Sequence, residues 1–103
     1  MNKLWISAGI EIVEGKNVRQ AKEALNNLAI ATRQELGNIE FNVLQQLDKP
    51  GSFTLWECWD NEAALKQHFN ARHTTDYLAQ SWTRVVYIER LQHTEAMSSM
   101  AGV

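Results

Sequence analysis

The run Gly37-Asn-Ile-Glu-Phe-Asn-Val43, a turn around Pro50-Gly51, and Ser52-Phe-Thr-Leu-Trp-Glu-Cys-Trp-Asp60 decide the fold. Two segments of alternating side chains flank a Pro-Gly turn, which is the pattern of an antiparallel hairpin. A period of two puts Ile39, Phe41 and Val43 on one face of the first strand, with Glu40, Asn42 and Leu44 on the other. On the second strand Phe53, Leu55, Glu57 and Trp59 share a face. Asp60 stands where the N-cap of a helix belongs, since its carboxylate can accept from free first-turn amides. A helix over 61–70 then carries Ala64, Leu65, His68 and Phe69 on its inner stripe. Glu57, Trp59 and His68 are thereby drawn toward one corner, and chemistry is expected there.

Upstream, residues 3–13 alternate as a strand, with Leu4, Ile6, Ala8, Ile10 and Ile12 on one face and Trp5, Ser7, Gly9, Glu11 and Val13 on the other. Asn17 followed by Gln20 predicts a capped helix start. Val18, Ala21, Leu25, Leu28 and Thr32 recur at helical spacing, Leu36 closes the stripe, and Gly37 ends the helix in left-handed conformation. Downstream, Thr74 or Thr75 is expected to cap a second short helix carrying Tyr77, Leu78 and Trp82. Residues 83–91 alternate as a last strand. Strand, helix, two strands, helix, strand is the split βαβ plan: an α+β, ferredoxin-like domain with a four-stranded antiparallel sheet. Residues 1–91 form this one domain, and 92–103 a polar tail. Both strand faces carry large apolar groups, which a lone two-layer domain would leave in water. A homodimer is therefore expected, sheet against sheet, closing a barrel.

Composition narrows the function. The 103 residues allow one core, and a net charge of −2 offers no footprint for nucleic acid. One cysteine, Cys58, cannot form an internal disulfide and reads as a small buried hydrophobe. Ser7 and Glu11 interrupt the apolar N-terminal run, so no signal peptide is expected, and no window spans a membrane. The expectation is a soluble, cytoplasmic protein that meets neither nucleic acid nor membrane. No Gly-rich phosphate loop occurs, so no dinucleotide or other cofactor is expected.

From Gly37 through Glu57-Cys-Trp59, Ala63-Ala-Leu65-Lys-Gln-His68 and His73 to Tyr77, the chain resembles the antibiotic biosynthesis monooxygenase domain. The resemblance implies a dimeric ferredoxin-like α+β barrel. It implies one of several activities: cofactor-independent oxygenation of quinols and anthrones, haem degradation, or isomerisation of a phosphorylated breakdown product. The haem-degrading branch has Trp where this chain has His68 and His where it has Leu78, so haem binding is not expected.

His68 matches the family's His and could take a proton from a phenolic hydroxyl or an acidic C–H. Its structural alternative is a cavity-lining His bonded to Glu57 or the backbone. Glu57, a carboxylate among apolar neighbours, could orient His68 or be the base; alternatively it bridges to Arg72, Arg84 or Arg90. Phe53, Trp59, Phe69, His73, Tyr77 and Asn42 are the candidate substrate-binding residues. The aromatic ones are also natural core, and Asn42 could equally face solvent. His73 follows His68 by five residues, off one helical face, and no third His or Cys is near, so no metal site is expected. The leading expectation is a monooxygenase that deprotonates a small quinol- or phenol-like substrate for direct reaction with dioxygen. Its rivals are an isomerase of a dicarbonyl compound, with Arg72, Arg84 or Lys66 holding any phosphate, and a non-catalytic binding dimer.

Overall fold

Extended segments rich in β-branched and aromatic residues build four strands, and apolar stripes at helical spacing build three helices, in a computed structural model that describes residues 3–95. The strands are β1 (Leu4–Ile12), β2 (Asn38–Gln45), β3 (Ser52–Trp59) and β4 (Thr83–Leu91); the helices are α1 (Val18–Arg33), α2 (Glu62–Asn70) and α3 (Arg72–Ala79). All strand pairs are antiparallel, in the order β2-β3-β1-β4. This is the expected ferredoxin-like split βαβ arrangement.

Register sorts the sheet faces. Ile6 stands opposite Glu57, Ala8 opposite Leu55 and Ile10 opposite Phe53, so these side chains share the face that the helices cover. Trp59, with no exposed surface, and Phe41 anchor one half of the core; Ile10, Leu25, Phe53 and Tyr77 anchor the other. Truncating an aromatic as enclosed as Trp59 costs about 3–5 kcal/mol in comparable cores. The helix-free face carries Trp5 and Trp56, whose rings lie 5.7 Å apart, and Tyr87. The Tyr87 ring lies against Gly9, where a Cβ would meet it at 2.3 Å.

Helix α1 starts as expected: Asn17 Oδ1 accepts from the Gln20 amide at 2.9 Å. Its buried stripe is Ala21, Leu25, Leu28, Ala29 and Thr32, while Val18 is half exposed. The stripe does not close on Leu36. The helix ends at Arg33, and Leu36 turns outward with 92% of its surface open. Gly37 does adopt positive φ, +94°, three residues beyond the cap. It also lets α2 approach, since a Cβ there would meet the Ala64 Cβ at 2.7 Å. The Gly37 carbonyl accepts from the Asp60 amide, so the turn after α1 is fastened to the start of α2.

Three local expectations shift. The N-cap of α2 is Asn61, whose Oδ1 accepts from the Ala64 amide at 2.9 Å, while Asp60 pairs with Lys3. Helix α3 begins at Arg72 rather than at a threonine cap, and Trp82 lies beyond its end. In β2 the register shifts between Asn38 and Glu40, leaving Ile39 half exposed and off the Phe41–Val43 face. Of the expected tail, 92–95 are irregular and 96–103 lie outside the described residues. Among the described residues no helix is long and apolar enough to cross a membrane.

Candidate active site

The helices cover β1, β2 and β3 but leave much of β4 open, and a cavity of about 210 Å³ remains between helices and sheet. Its inner wall is apolar, formed by Ile6, Ala8, Ile10, Leu25 and Leu28. Phe69, Leu78, Val85 and Ile88, each more than half exposed, stand at its rim. Glu57 and His68 both line it, so the two candidate catalytic residues share one enclosure rather than opposite sides of the sheet.

Their partners differ from expectation. His68, 4% exposed in the last turn of α2, does not bond Glu57. Its Nδ1 lies 2.7 Å from Oε2 of Glu35, with Thr74 Oγ1 3.3 Å away. The same Glu35 oxygen lies 2.5 Å from His73 Nε2 at the start of α3. His68 and His73 are thus brought together across two helices. Glu35, from the turn that Gly37 fastens to α2, is the residue that sequence reasoning missed. A signal existed: after Leu28 and Thr32, the step to position 35 continues the helical stripe as well as the step to 36.

Burial pushes the His68 imidazole below its usual titration range, against the upward pull of the hydrogen bond and charge of Glu35. The ring packs between Phe41, Trp59 and Phe69, with the Trp59 ring 4.9 Å away. With Nδ1 taken by Glu35, Nε2 is the nitrogen left for anything in the cavity.

Glu57 accepts from Trp59 Nε1 at 2.9 Å. Burial pushes its carboxyl above the ordinary glutamate value; the Trp59 bond opposes this and the charge of Glu35 adds to it. None of the three arginines weighed for it is its partner: Arg72 pairs with Asp76, Arg84 with Glu11 and Arg90 with Glu62. Of the candidate substrate-binding residues, Phe69 and Tyr77 line the cavity. Phe53 and Trp59 are packed into the core, and His73 stands behind His68 on Glu35. Asn42 donates to Glu40 Oε1 on the helix-free side, away from the cavity. Cys58 is buried, which raises its thiol.

The sequence is 31% identical over 84 residues to YjcS of Bacillus subtilis strain 168, an uncharacterized protein, covering 82% of this chain and 80% of that one. A solved structure of YjcS superposes with a TM-score of 0.82 at 28% identity, covering 89% of this chain and 99% of the other. SnoaB, a cofactor-independent oxygenase from Streptomyces nogalater, has a TM-score of 0.77 at 8% identity, covering 94% and 98%; that likeness is one of fold. Residues 8–80 match the antibiotic biosynthesis monooxygenase family, and the chain belongs to it.

Proposed function

We propose that the protein is a cofactor-independent monooxygenase of small quinol- or phenol-like substrates, with His68 as its base. The observation that carries this reading is the division of the imidazole: Nδ1 is held by Glu35 and Nε2 is left for an apolar cavity. A carboxylate on one ring nitrogen fixes the tautomer and makes the other nitrogen the proton acceptor. Nε2 takes the phenolic proton, and the electron-rich anion reacts directly with dioxygen. Quinol and dioxygen then give hydroxyquinone and water, so the substrate supplies the electrons. Exclusion of water by the apolar wall favours the anion's reaction over its quenching. Glu57, held toward its neutral form by burial, serves as a hydrogen-bond donor to the developing oxyanion rather than as a second base.

The isomerase reading needs the same first step, with the carbanion reprotonated at the neighbouring carbon. A phosphorylated substrate is disfavoured because Arg72, Arg84 and Lys66 do not line the cavity, and Arg90, which does, is engaged by Glu62. Two copies joined through the helix-free sheet face would cover Trp56 and Tyr87, which supports a homodimer as the working form.

The test is oxygen uptake across a quinol panel, against product formation from dicarbonyl compounds under strict anaerobiosis. His68→Ala is expected to lower oxygen-dependent turnover by about 10²–10⁴-fold, with little change in KM because Phe69, Leu78 and Val85 keep the walls. Full turnover in His68→Ala would refute the base assignment, and anaerobic product formation without oxygen uptake would favour the isomerase.

A further inference from the structure

We propose that Glu35, His68 and His73 form a binding site for one divalent transition ion of the zinc class. The three come from separate elements: the turn after α1, the last turn of α2 and the first turn of α3. Their donor atoms lie within 4.8 Å of one another. A tetrahedral zinc ion, with bonds of about 2.0–2.2 Å, holds its donors roughly 3.3 Å apart. The present separations from Glu35 Oε2, 2.7 Å to His68 and 2.5 Å to His73, are shorter than that. Admitting such an ion needs the two imidazole nitrogens, which lie no more than 4.8 Å apart, to reach that spacing and Glu35 to withdraw by less than about 1 Å. Its place on a turn rather than inside a helix permits that shift.

Charge favours an ion as well. The Glu35 side chain is only 12% exposed, and among the described residues no lysine or arginine bridges it. The cluster is a nearly buried carboxylate accepting from two ring N–H groups. A dication replaces those two protons, each neutral imidazole carrying its proton on the other nitrogen, so that all three donors are satisfied at once. Two imidazoles and one carboxylate suit zinc, cobalt or nickel and do not suit magnesium or calcium, which take oxygen donors. His73, with 30% of its side chain open, leaves room for water as the fourth ligand. Zinc on His68 Nδ1 would fix the remaining proton on Nε2, so the bound ion and the role of His68 as base exclude one another. This inference goes beyond the monooxygenase reading, and its test requires no substrate.

The test is calorimetric titration of zinc chloride into the chelator-stripped full chain, with magnesium chloride as the hard-ion comparison and cobalt chloride followed by visible absorption. One zinc ion per chain at a micromolar or lower dissociation constant is expected, with the d–d bands of four-coordinate cobalt and no magnesium binding. His73→Ala, at the open side of the cluster, is expected to weaken zinc at least tenfold, with circular dichroism confirming its fold. His93→Ala, at an exposed position beyond β4, is expected to bind as the wild type does. Absence of saturable zinc binding by the wild type, leaving Glu35 and the imidazoles as a hydrogen-bonded network only, would overturn the proposal. So would undiminished binding by His73→Ala, or loss of zinc in His93→Ala.

Discussion

Replacing Glu35 with alanine removes the acceptor that two imidazoles share. His68 Nδ1 is enclosed, so it loses a bond to a charged acceptor worth about 1.5–3 kcal/mol and finds no water in its place. His73 is about a third open, so solvent takes over much of its bond and the loss there is about 0.5–1 kcal/mol. Together, Glu35→Ala is expected to cost about 2–4 kcal/mol, or roughly 10–20 °C in Tm for a domain of this size. The comparison is Asp60→Ala, which breaks an exposed pair with Lys3 and is expected to cost less than about 1 kcal/mol. Urea unfolding at one fixed protein concentration measures both. A cycle with His68→Ala isolates the pair, whose coupling should be about 1.5–3 kcal/mol, while Glu35→Gln, which keeps an acceptor oxygen, should fall between Glu35→Ala and the wild type. If the Glu35→Ala loss matches Asp60→Ala and the coupling is below about 0.5 kcal/mol, Glu35 does not hold His68 and the site is misassigned.

Two further outcomes are expected. Burial raises the Glu57 carboxyl above the roughly 4.3 of an unperturbed glutamate. Its contribution to stability is therefore fully present below that pH and is lost as pH rises through the folded value. His68 and Arg90 line the same cavity and Glu35 adds its charge, so the comparison is made against Glu57→Gln, which keeps an acceptor for Trp59. That variant should be more stable than the wild type at pH 7, with the falling segment of the stability–pH curve flattened; an unchanged curve would refute the assignment. For assembly, sedimentation at micromolar concentration should give a dimer, and deleting 92–103 should weaken it without unfolding the sheet. A monomeric full-length chain would count against pairing through Trp56 and Tyr87, and unchanged affinity after deletion would remove the tail from the interface.

What the sequence alone determined is what local rules govern. Period-two alternation located the hairpin around Pro50-Gly51 and the flanking strands, and Asn17 with Gln20 marked the start of α1, because each signal lies within a few residues of what it specifies. His68 was legible on the inner stripe of α2 for the same reason, and Glu57 on the inner face of β3. Even within this range a one-residue error moved the cap from Asp60 to Asn61, since both side chains can accept from first-turn amides and only packing chooses. The partners were a different matter. Trp59 stands two residues from Glu57 on the same face, yet nothing local said that its N–H would hold the carboxylate rather than an arginine. Glu35 lies 33 positions from His68 and 38 from His73, and reaches both only because Gly37 lets the turn after α1 close against Ala64. The encounter of a carboxylate with two imidazoles across three elements is a property of how those elements pack. Helical spacing on any one of them carries no trace of it, and so the tertiary structure decided which residue holds the base.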